Sequence, residues 1–292
     1  MSKRKRRRMR FSALLFLAVF CVYGLFAKPE IPVEPVNTEP GNLQVHYIDV
    51  GQGDATLISC DGHHMLIDAG GNDKGTYVQD YLQKQGIEHL DYVIGTHPDE
   101  DHIGGLDVIL YKFDTNLVMM PDYEKNTRTY DDVIQTVKNR AQKIAVPKTG
   151  QNYELGNAVF TVVAPNKIYE DGNNNSIVLL LQNGRNRFLF TGDAEAESEK
   201  DILTAGWDIS ADVYKVGHHG SAGSSSETFL EAVGASYGVI SVGSENSYGH
   251  PNDETLQRLR DNGVQIFRTD EHGTIIAASD GEQITWDVQR NK

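Results

Sequence analysis

Cysteine is nearly absent from this chain, which has only two among its 292 residues, Cys21 and Cys60. Cys21 lies in an apolar run near the amino terminus and Cys60 follows the apolar stretch 55–58, so we expect no internal disulfide. A chain of this length can bury a core large enough to fold without covalent cross-links. The sequence therefore excludes a small disulfide-stabilised scaffold, and Cys60 is expected to be a buried thiol.

Basic residues are scarce beyond residue 27. Residues 28–292 carry 20 basic against 41 acidic residues, a net charge of −21, whereas residues 1–27 hold seven basic residues and no acidic one. A domain with this charge repels polyanions, and non-specific DNA binding normally depends on Lys and Arg contacts. The composition thus argues against a DNA-binding module of the usual basic kind.

The basic block at the amino terminus is followed by an apolar run over residues 11–27. A helix over this run would span about 26 Å, close to the ~30 Å hydrocarbon core of a bilayer. The positive-inside rule keeps the amino terminus in the cytoplasm and places the rest outside. Because the small-x-small cleavage pattern is missing, we expect residues 1–27 to be an uncleaved single-pass anchor in a bacterial cell membrane. A cleaved signal peptide, which would release a secreted protein, is the alternative.

Residues 28–42 contain four of the nine prolines together with three glutamates, and we interpret them as an extended linker. From residue 43 to 292, short β-type runs alternate with helical stretches, and no repeat or low-complexity segment divides them. Strand-rich ends with helices between them predict one α/β (α+β) domain, in which helices pack outside two sheets.

Ligand-type side chains are concentrated in the stretch THPDEDHIGG, which follows an apolar run typical of a buried strand. His97, Asp99, Asp101 and His102 fall within six positions of one another. Carboxylates and imidazoles at the end of a strand, just before a helix, are typical of a metal site built on rigid elements. Asp193 (FLFTGD) and His218 (YKVGHH) also come directly after predicted strands. If these strands are neighbours, their ends bring the side chains to one edge of the sheets.

Taken together, these segments resemble the metallo-β-lactamase superfamily, and within it the hydrolase domain of the ComEC-type competence proteins. The matching segments run in family order and are YIDVGQGDATLI, LIDAGG, THPDEDHIGG, NNNSIVLLL, FLFTGD, YKVGHHGSAGSS and SYGHPND. The resemblance implies a four-layer αββα sandwich with a site for two divalent ions at one edge.

The resemblance also implies a ligand set. The implied ligands are His97 and Asp99 for the first ion, Asp101 and His102 for the second, Asp193 as the bridge, and His218 as the last ligand of the second ion. Asp99 stands where the wider superfamily has histidine, and a further histidine is missing from residues 172–176. A carboxylate-rich first site tilts the expected metal from Zn²⁺ towards Mn²⁺, with Mg²⁺ as a further candidate.

Several other residues match family positions outside the ligand set. We expect Asp101 to orient the attacking water and His250 to contact a substrate oxygen or donate to the leaving group; a surface histidine that caps a helix is the alternative for His250. Asp49, Asp68, His219 and Ser221 are expected to support the ligands from behind.

These observations predict a membrane-anchored, metal-dependent hydrolase of phosphodiesters, with DNA as the first substrate to consider. The acidic composition favours two alternatives. One is a small or cell-wall-linked phosphodiester, such as a choline-phosphate ester, and the other is a non-catalytic accessory module with a retained metal site. The oligomeric state is not predicted.

Overall fold

The structure is a computed structural model that describes residues 41–290. The predicted anchor and nearly all of the predicted linker therefore lie outside the described residues. No helix within residues 41–290 is both long and apolar enough to cross a membrane.

Fifteen strands form two mixed sheets within the described residues. The eight-stranded sheet has the order β15-β14-β1-β2-β3-β4-β5-β6, and the seven-stranded sheet has the order β13-β12-β11-β10-β9-β8-β7. The strands are β1 Leu43–Tyr47, β2 Thr56–Cys60, β3 His63–Ile67, β4 His89–Ile94, β5 Asp114–Met119, β6 Ile144–Ala145, β7 Asn152–Leu155, β8 Ala158–Ala164, β9 Val178–Asn183, β10 Asn186–Phe190, β11 Val213–Lys215, β12 Tyr237–Ile240, β13 Gln265–Arg268, β14 Ile275–Ser279 and β15 Ile284–Val288.

Eight α-helices connect these strands in the described part of the chain. They are α1 Gly75–Lys84, α2 Glu100–Ile103, α3 Leu106–Lys112, α4 Arg128–Asn139, α5 Ala196–Ala205, α6 Glu227–Val233, α7 Asp253–Asp261 and α8 Thr269–His272. Local sequence explains several of their ends. Thr127 caps α4 by accepting a hydrogen bond from the Tyr130 amide, and Asn252 caps α7 by accepting one from the Glu254 amide.

Three hydrophobic clusters define the layers. The central cluster lies between the sheets and combines Val45 and Met65 from one sheet with Phe160 and Phe188 from the other. A second cluster packs α1, α3 and α4 on the outer face of the eight-stranded sheet, and a third packs α5, α6 and α7 on the seven-stranded sheet. The predicted αββα arrangement of helices outside two sheets is therefore confirmed.

The parallel strands of each sheet determine where the site forms. β3, β4 and β5 run parallel in one sheet, and β10, β11 and β12 run parallel in the other. The carboxyl ends of parallel strands meet at one edge of a sheet, so the segments after β3, β4, β10, β11 and β12 are neighbours. The segments that carry the predicted ligands, THPDEDHIGG, FLFTGD and YKVGHH, contain or directly follow the ends of β4, β10 and β11.

The pattern of residues 103–112 predicts a single helix directly after His102, and the structure corrects this. The first turn, α2, is a separate four-residue helix that carries Asp101 and His102, and α3 begins only at Leu106. Gly104 and Gly105 lie between them, and a Cβ on either glycine would come within 2.6 Å of backbone atoms of residues 69–72 or 100. These glycines thus allow the motif to pack tightly against the loop after β3.

Candidate metal centre

Imidazole nitrogens and carboxylate oxygens from three segments meet at this edge. His102 Nε2 lies 3.2 Å from Asp193 Oδ1, and His97 Nε2 lies 3.9 Å from Asp193 Oδ2. His219 Nε2 lies 3.3 Å from Asp101 Oδ2 and 3.6 Å from Asp193 Oδ2. Of the five side chains only Asp101 is substantially exposed, with a side-chain exposure of 35%. The cluster is therefore a buried pocket of ligand-type atoms that opens to solvent beside Asp101.

Four atoms of this cluster are buried without a hydrogen-bond partner among residues 41–290: His97 Nε2, His102 Nε2, His219 Nε2 and Asp193 Oδ1. Orphaned buried polar atoms are rare because each costs free energy when it is left unsatisfied. Three imidazole nitrogens and a carboxylate oxygen form a donor set that suits Zn²⁺, Mn²⁺ or Fe²⁺. The residues present therefore fit a divalent metal ion.

Hydrogen bonds from behind fix the orientation of two of these imidazoles. Asp68 Oδ2 lies 2.8 Å from His102 Nδ1 and accepts a hydrogen bond of 2.7 Å from the Thr96 hydroxyl. His219 Nδ1 donates to the carbonyl oxygen of Ser241, 2.9 Å away. Such contacts select the tautomer that leaves Nε2 free for a metal. Asp68 thus lies directly behind His102, one of the predicted ligands.

The adjacent histidines after β11 differ from the prediction. The predicted ligand His218 directs Nδ1 to Glu195 Oε1 at 2.9 Å, and its side chain is 21% exposed. His219, predicted only to support a ligand, is buried and reaches Asp101 and Asp193. Both residues adopt left-handed backbone angles, with φ of 49° and 52°, which turns successive side chains in an unusual direction for non-glycine residues. The geometry therefore favours His219 as the ligand, while His218 Nε2 remains 3.5 Å from Asp193 Oδ2 at the rim.

Asp99 also departs from its predicted role. Its Oδ1 accepts a hydrogen bond of 2.6 Å from the ammonium group of Lys125 and lies 3.9 Å from His97 Nε2. In residues 41–290, no group of three converging ligand atoms includes Asp99. The predicted first ion is thus left with His97 and the shared Asp193 as its clear donors.

Two buried residues of the site were missed by the sequence analysis. Asp54 Oδ2 accepts a hydrogen bond of 2.8 Å from Lys215 Nζ, and Asp54 Oδ1 lies 3.6 Å from His219 Nδ1. Burial would raise the pKa of Asp54, but Lys215 and His219 hold it below its usual value. The sequence does hint at a buried pair. Asp54 ends the GQGD turn, and Lys215 is a single charge at the end of a short apolar strand.

The charges within the cluster compensate one another. Burial lowers the pKa of His102, but the carboxylates of Asp193 and Asp68 outweigh it and raise this pKa well above its usual value. Burial would raise the pKa of Asp193, but His102 and His219 hold it well below its usual value. Burial lowers the pKa of His97, and His102 lowers it further. The carboxylate of Asp193 is therefore ionised, as a metal ligand must be.

His250 lies next to the cluster, outside the ligand atoms. Its ring centroid lies 5.4 Å from that of His218 and 6.3 Å from that of His219, and exposed Tyr248 stacks on its outer side at 5.8 Å. Its Nδ1 is buried and has no hydrogen-bond partner in the described part of the chain. Burial lowers the pKa of His250, and His218 lowers it further. The predicted position beside a substrate oxygen fits this placement.

The remaining predicted supports do not contact the cluster. Asp49 accepts hydrogen bonds from the Gly51 amide and the Arg290 guanidinium. Ser221 accepts one from the Gly223 amide, and its carbonyl oxygen accepts one from the Thr255 hydroxyl. Both residues brace loops instead of touching a ligand-type atom.

Comparison with known proteins agrees with this geometry. ComE operon protein 3 of Bacillus subtilis is 32% identical over 251 residues, which cover 80% of this chain and 32% of that protein. Recombination protein 2 of Haemophilus influenzae is 33% identical over 225 residues, which cover 74% of this chain and 26% of that protein. The chain thus spans about a third or less of the length of these relatives.

The fold has a counterpart among solved structures. The metallo-beta-lactamase fold protein YhfI from Bacillus subtilis superposes with a TM-score of 0.54 at 13% identity, over 82% of this chain and 100% of that one. Residues 48–244 match the metallo-beta-lactamase superfamily, a segment that contains every ligand-type atom of the cluster. Competence protein ComA of Neisseria gonorrhoeae is 29% identical over 266 residues, which cover 90% of this chain and 35% of that protein. The chain therefore belongs to the metallo-β-lactamase superfamily, and its similarity to these relatives supports a hydrolase domain of the ComEC type.

Proposed function

We propose that this chain is a metal-dependent hydrolase of phosphodiesters that acts outside the membrane, with DNA as the first substrate to test. The observation that carries the proposal is the set of four orphaned ligand atoms on His97, His102, Asp193 and His219, which opens to solvent at Asp101. The similarity to competence and recombination proteins supports a nucleic-acid phosphodiester as the substrate. Residues 11–27 would hold the chain in the membrane.

Each side chain of the site has a distinct proposed role. Asp101, His102, His219 and Asp193 would hold a divalent ion, which when bound supplies the Lewis acidity that activates water for hydrolysis. Asp101, at the opening, accepts a hydrogen bond from the attacking water and orients it towards phosphorus. His250, whose ring lies beside those of His218 and His219, would contact a substrate oxygen. Ser221 is not in a nucleophile-elbow motif, and the one G-x-S-x-G match, at Ser236, lies between a helix and the strand that follows it instead of at a strand-to-helix turn. The proposal therefore requires no covalent intermediate on the protein.

The test uses the purified chain loaded separately with Mn²⁺ and Zn²⁺. Hydrolysis of bis-p-nitrophenyl phosphate and of labelled single- and double-stranded DNA is measured beside a His97→Ala/Asp101→Ala variant. We expect metal-dependent cleavage that falls about 100-fold or more in the variant, because it lacks Asp101, which would both hold the ion and orient the water, and the buried imidazole of His97 beside it. Cleavage of DNA by an Asp101→Ala chain at the wild-type rate would overturn the mechanism.

The net charge of −21 in residues 28–292 favours a second candidate, a small or wall-linked phosphodiester such as a choline-phosphate ester. p-Nitrophenyl phosphorylcholine is the matching probe. Turnover of this ester together with no cleavage of DNA would establish the second candidate in place of the first.

The third candidate is a non-catalytic accessory module, which the Asp99–Lys125 pair and the missing histidine at 172–176 favour. Metal content without turnover of any of these esters would establish it.

A further inference from the structure

Lys125 occupies the side of the pocket where the family pattern places the first metal ion. Its ammonium group donates to Asp99 Oδ1 at 2.6 Å, and Asp99 is its only hydrogen-bond or ion-pair partner within residues 41–290. Side-chain exposures of 38% for Lys125 and 29% for Asp99 place the pair at the mouth of the pocket. A fixed positive charge therefore already neutralises the carboxylate that a first ion would need.

The donors left for a first ion are few. The segment that lacks the family histidine forms a short 3₁₀ turn, Asn173–Asn175, and two of its amides are already engaged. Asn174 Oδ1 accepts hydrogen bonds from the Glu195 and Ser198 amides, and Asn175 Nδ2 donates to the Tyr169 and Asp171 carbonyl oxygens. By contrast, the ligand atoms of Asp101, His102 and His219 converge. Asp193 joins them, with carboxylate oxygens 3.6 Å from His219 Nε2 and 3.2 Å from His102 Nε2. His97 also converges with His102 and Asp193, but it is the one imidazole there that the inner set does not use.

We infer that this site holds one divalent ion, on Asp101, His102, His219 and Asp193, and that the Lys125 ammonium replaces the second cation. The inference rests on the proposed phosphodiester hydrolysis. An ammonium group has three N–H donors, and Asp99 takes one, so two remain for a phosphate oxygen at the mouth. Lysine binds phosphate as a compact charge and imposes little geometry. The substrate class is thus an anionic diester whose non-bridging oxygen contacts Lys125, whereas a neutral lactone or lactam would gain nothing there.

The first test counts the ions. The full chain is equilibrated with excess Mn²⁺, freed of unbound metal and analysed by elemental mass spectrometry and by Mn²⁺ electron paramagnetic resonance. We expect one ion per wild-type chain, with the spectrum of an isolated ion. Lys125→Met frees Asp99 and should raise the count to two, with a spectrum broadened by coupling between neighbouring ions. Lys125→Arg keeps the charge and should stay at one, as should Lys112→Met, a matched change on the surface helix α3.

Two ions in the wild type, or one ion in Lys125→Met, would overturn the inference. Circular dichroism confirms that each variant is folded. Because the count needs no substrate, a chain that holds one ion and hydrolyses no diester would overturn only the proposed function, and a chain that holds two ions and cleaves diesters would overturn only the inference. A chain that retains no ion would overturn both.

The second test measures the anion contact. With Mn²⁺ limited to one equivalent, we expect Lys125→Met to weaken the binding of inorganic phosphate about tenfold, because one charge-assisted hydrogen bond is lost. Lys112→Met should leave it unchanged. Equal phosphate affinity in Lys125→Met and the wild type would overturn the assignment of Lys125 as the second positive charge.

Discussion

The adjacent residues His218 and His219 show how strongly the site depends on single side chains. His219 is buried, anchored at Nδ1 by the Ser241 carbonyl and aimed at Asp101 and Asp193. His218 is bound instead to Glu195 at the rim. We predict that His219→Ala lowers the affinity for Mn²⁺ or Zn²⁺ by about 100-fold or more, because it removes a ligand, whereas His218→Ala lowers it less than about tenfold.

Isothermal titration of both ions into each folded variant checks this prediction. A larger loss in His218→Ala than in His219→Ala would restore the assignment that the family resemblance alone implied. The Glu195→Gln variant serves as the matched control, because it alters the partner of His218 and leaves His219 untouched.

His46 on β1 makes the free energy of unfolding depend on pH. It is only 3% exposed, its Nδ1 lies 2.8 Å from the Tyr81 hydroxyl, and burial lowers its pKa from 6.5 to about 4. The pKa of His46 in the folded state lies below that in the unfolded state, so the folded protein is most stable when the imidazole is neutral. The contribution of this neutral imidazole to the free energy of unfolding is complete above pH 6.5. It is lost as the pH falls from 6.5 to about 4, by about 3 kcal/mol at ~1.4 kcal/mol per pKa unit.

The comparison is made with His46→Gln, whose amide can still bind the Tyr81 hydroxyl. We expect its free energy of unfolding, from urea titrations of the metal-free chain, to fall about 3 kcal/mol less between pH 7 and pH 4 than that of the wild type. All other titrating groups are common to the two proteins, so equal losses in both would contradict the prediction.

At the scale of elements, a buried ion pair joins the two sheets behind the cluster. Lys215 at the end of β11 is 3% exposed and bonds to Asp54, which precedes β2 in the other sheet and is 6% exposed. The Asp54 amide also donates to the Asp101 carbonyl oxygen, so the pair fixes the metal-binding turn. Removing one partner of a buried pair leaves an uncompensated charge, which costs several kcal/mol.

We therefore predict that Lys215→Met lowers the free energy of unfolding by about 3–5 kcal/mol. Lys215→Met/Asp54→Asn should recover part of this loss, since the isolated charge is gone. Chemical denaturation in the presence of a chelator measures both. A double variant that is less stable than Lys215→Met would show that the loss comes from packing and not from the buried charge.

Helices and strands with a strong periodicity of apolar residues could be predicted from the sequence. Short elements without such a pattern could not. The helix Ala196–Ala205 and the strand Ala158–Ala164 coincide almost residue for residue with a helical pattern and an apolar β-type run in the sequence. The short strands Ile144–Ala145 and Asn152–Leu155 were missed, because they carry little apolar pattern and depend on pairing with a neighbour. The four-residue helix α2 could not be predicted from the motif, because its boundaries depend on tertiary packing around Gly104 and Gly105.

The same limit explains the errors within the site. Strand ends placed His97, His102 and Asp193 correctly together, because parallel strands end at one edge. Which of two adjacent histidines turns inward depends on left-handed backbone angles at both, and no spacing rule reports these. The pairing of Asp99 with Lys125 joins residues 26 positions apart in a loop without regular pattern.

At the scale of the whole molecule, the site lies on a strongly acidic chain. Residues 28–292 carry a net charge of −21, and the seven basic residues before them lie in the predicted anchor segment. Each phosphate contact made by Lys or Arg releases counterions, so the dependence of DNA affinity on salt counts such contacts. A domain that relies on Lys125 and one ion should make very few.

We predict that the logarithm of the affinity for double-stranded DNA falls with the logarithm of the salt concentration with a slope no steeper than about −2, corresponding to about two phosphate contacts. The measurement uses fluorescence anisotropy on an inactive Asp101→Ala chain whose seven basic residues before residue 28 are replaced by glutamine, so that they do not contribute. The same chain with those residues intact is the control and should give a steeper slope. A slope near −6 in the substituted chain would contradict the prediction. It would show that about six or seven Lys or Arg side chains of the domain contact phosphates, and therefore that the domain has a basic DNA-binding surface despite its negative net charge.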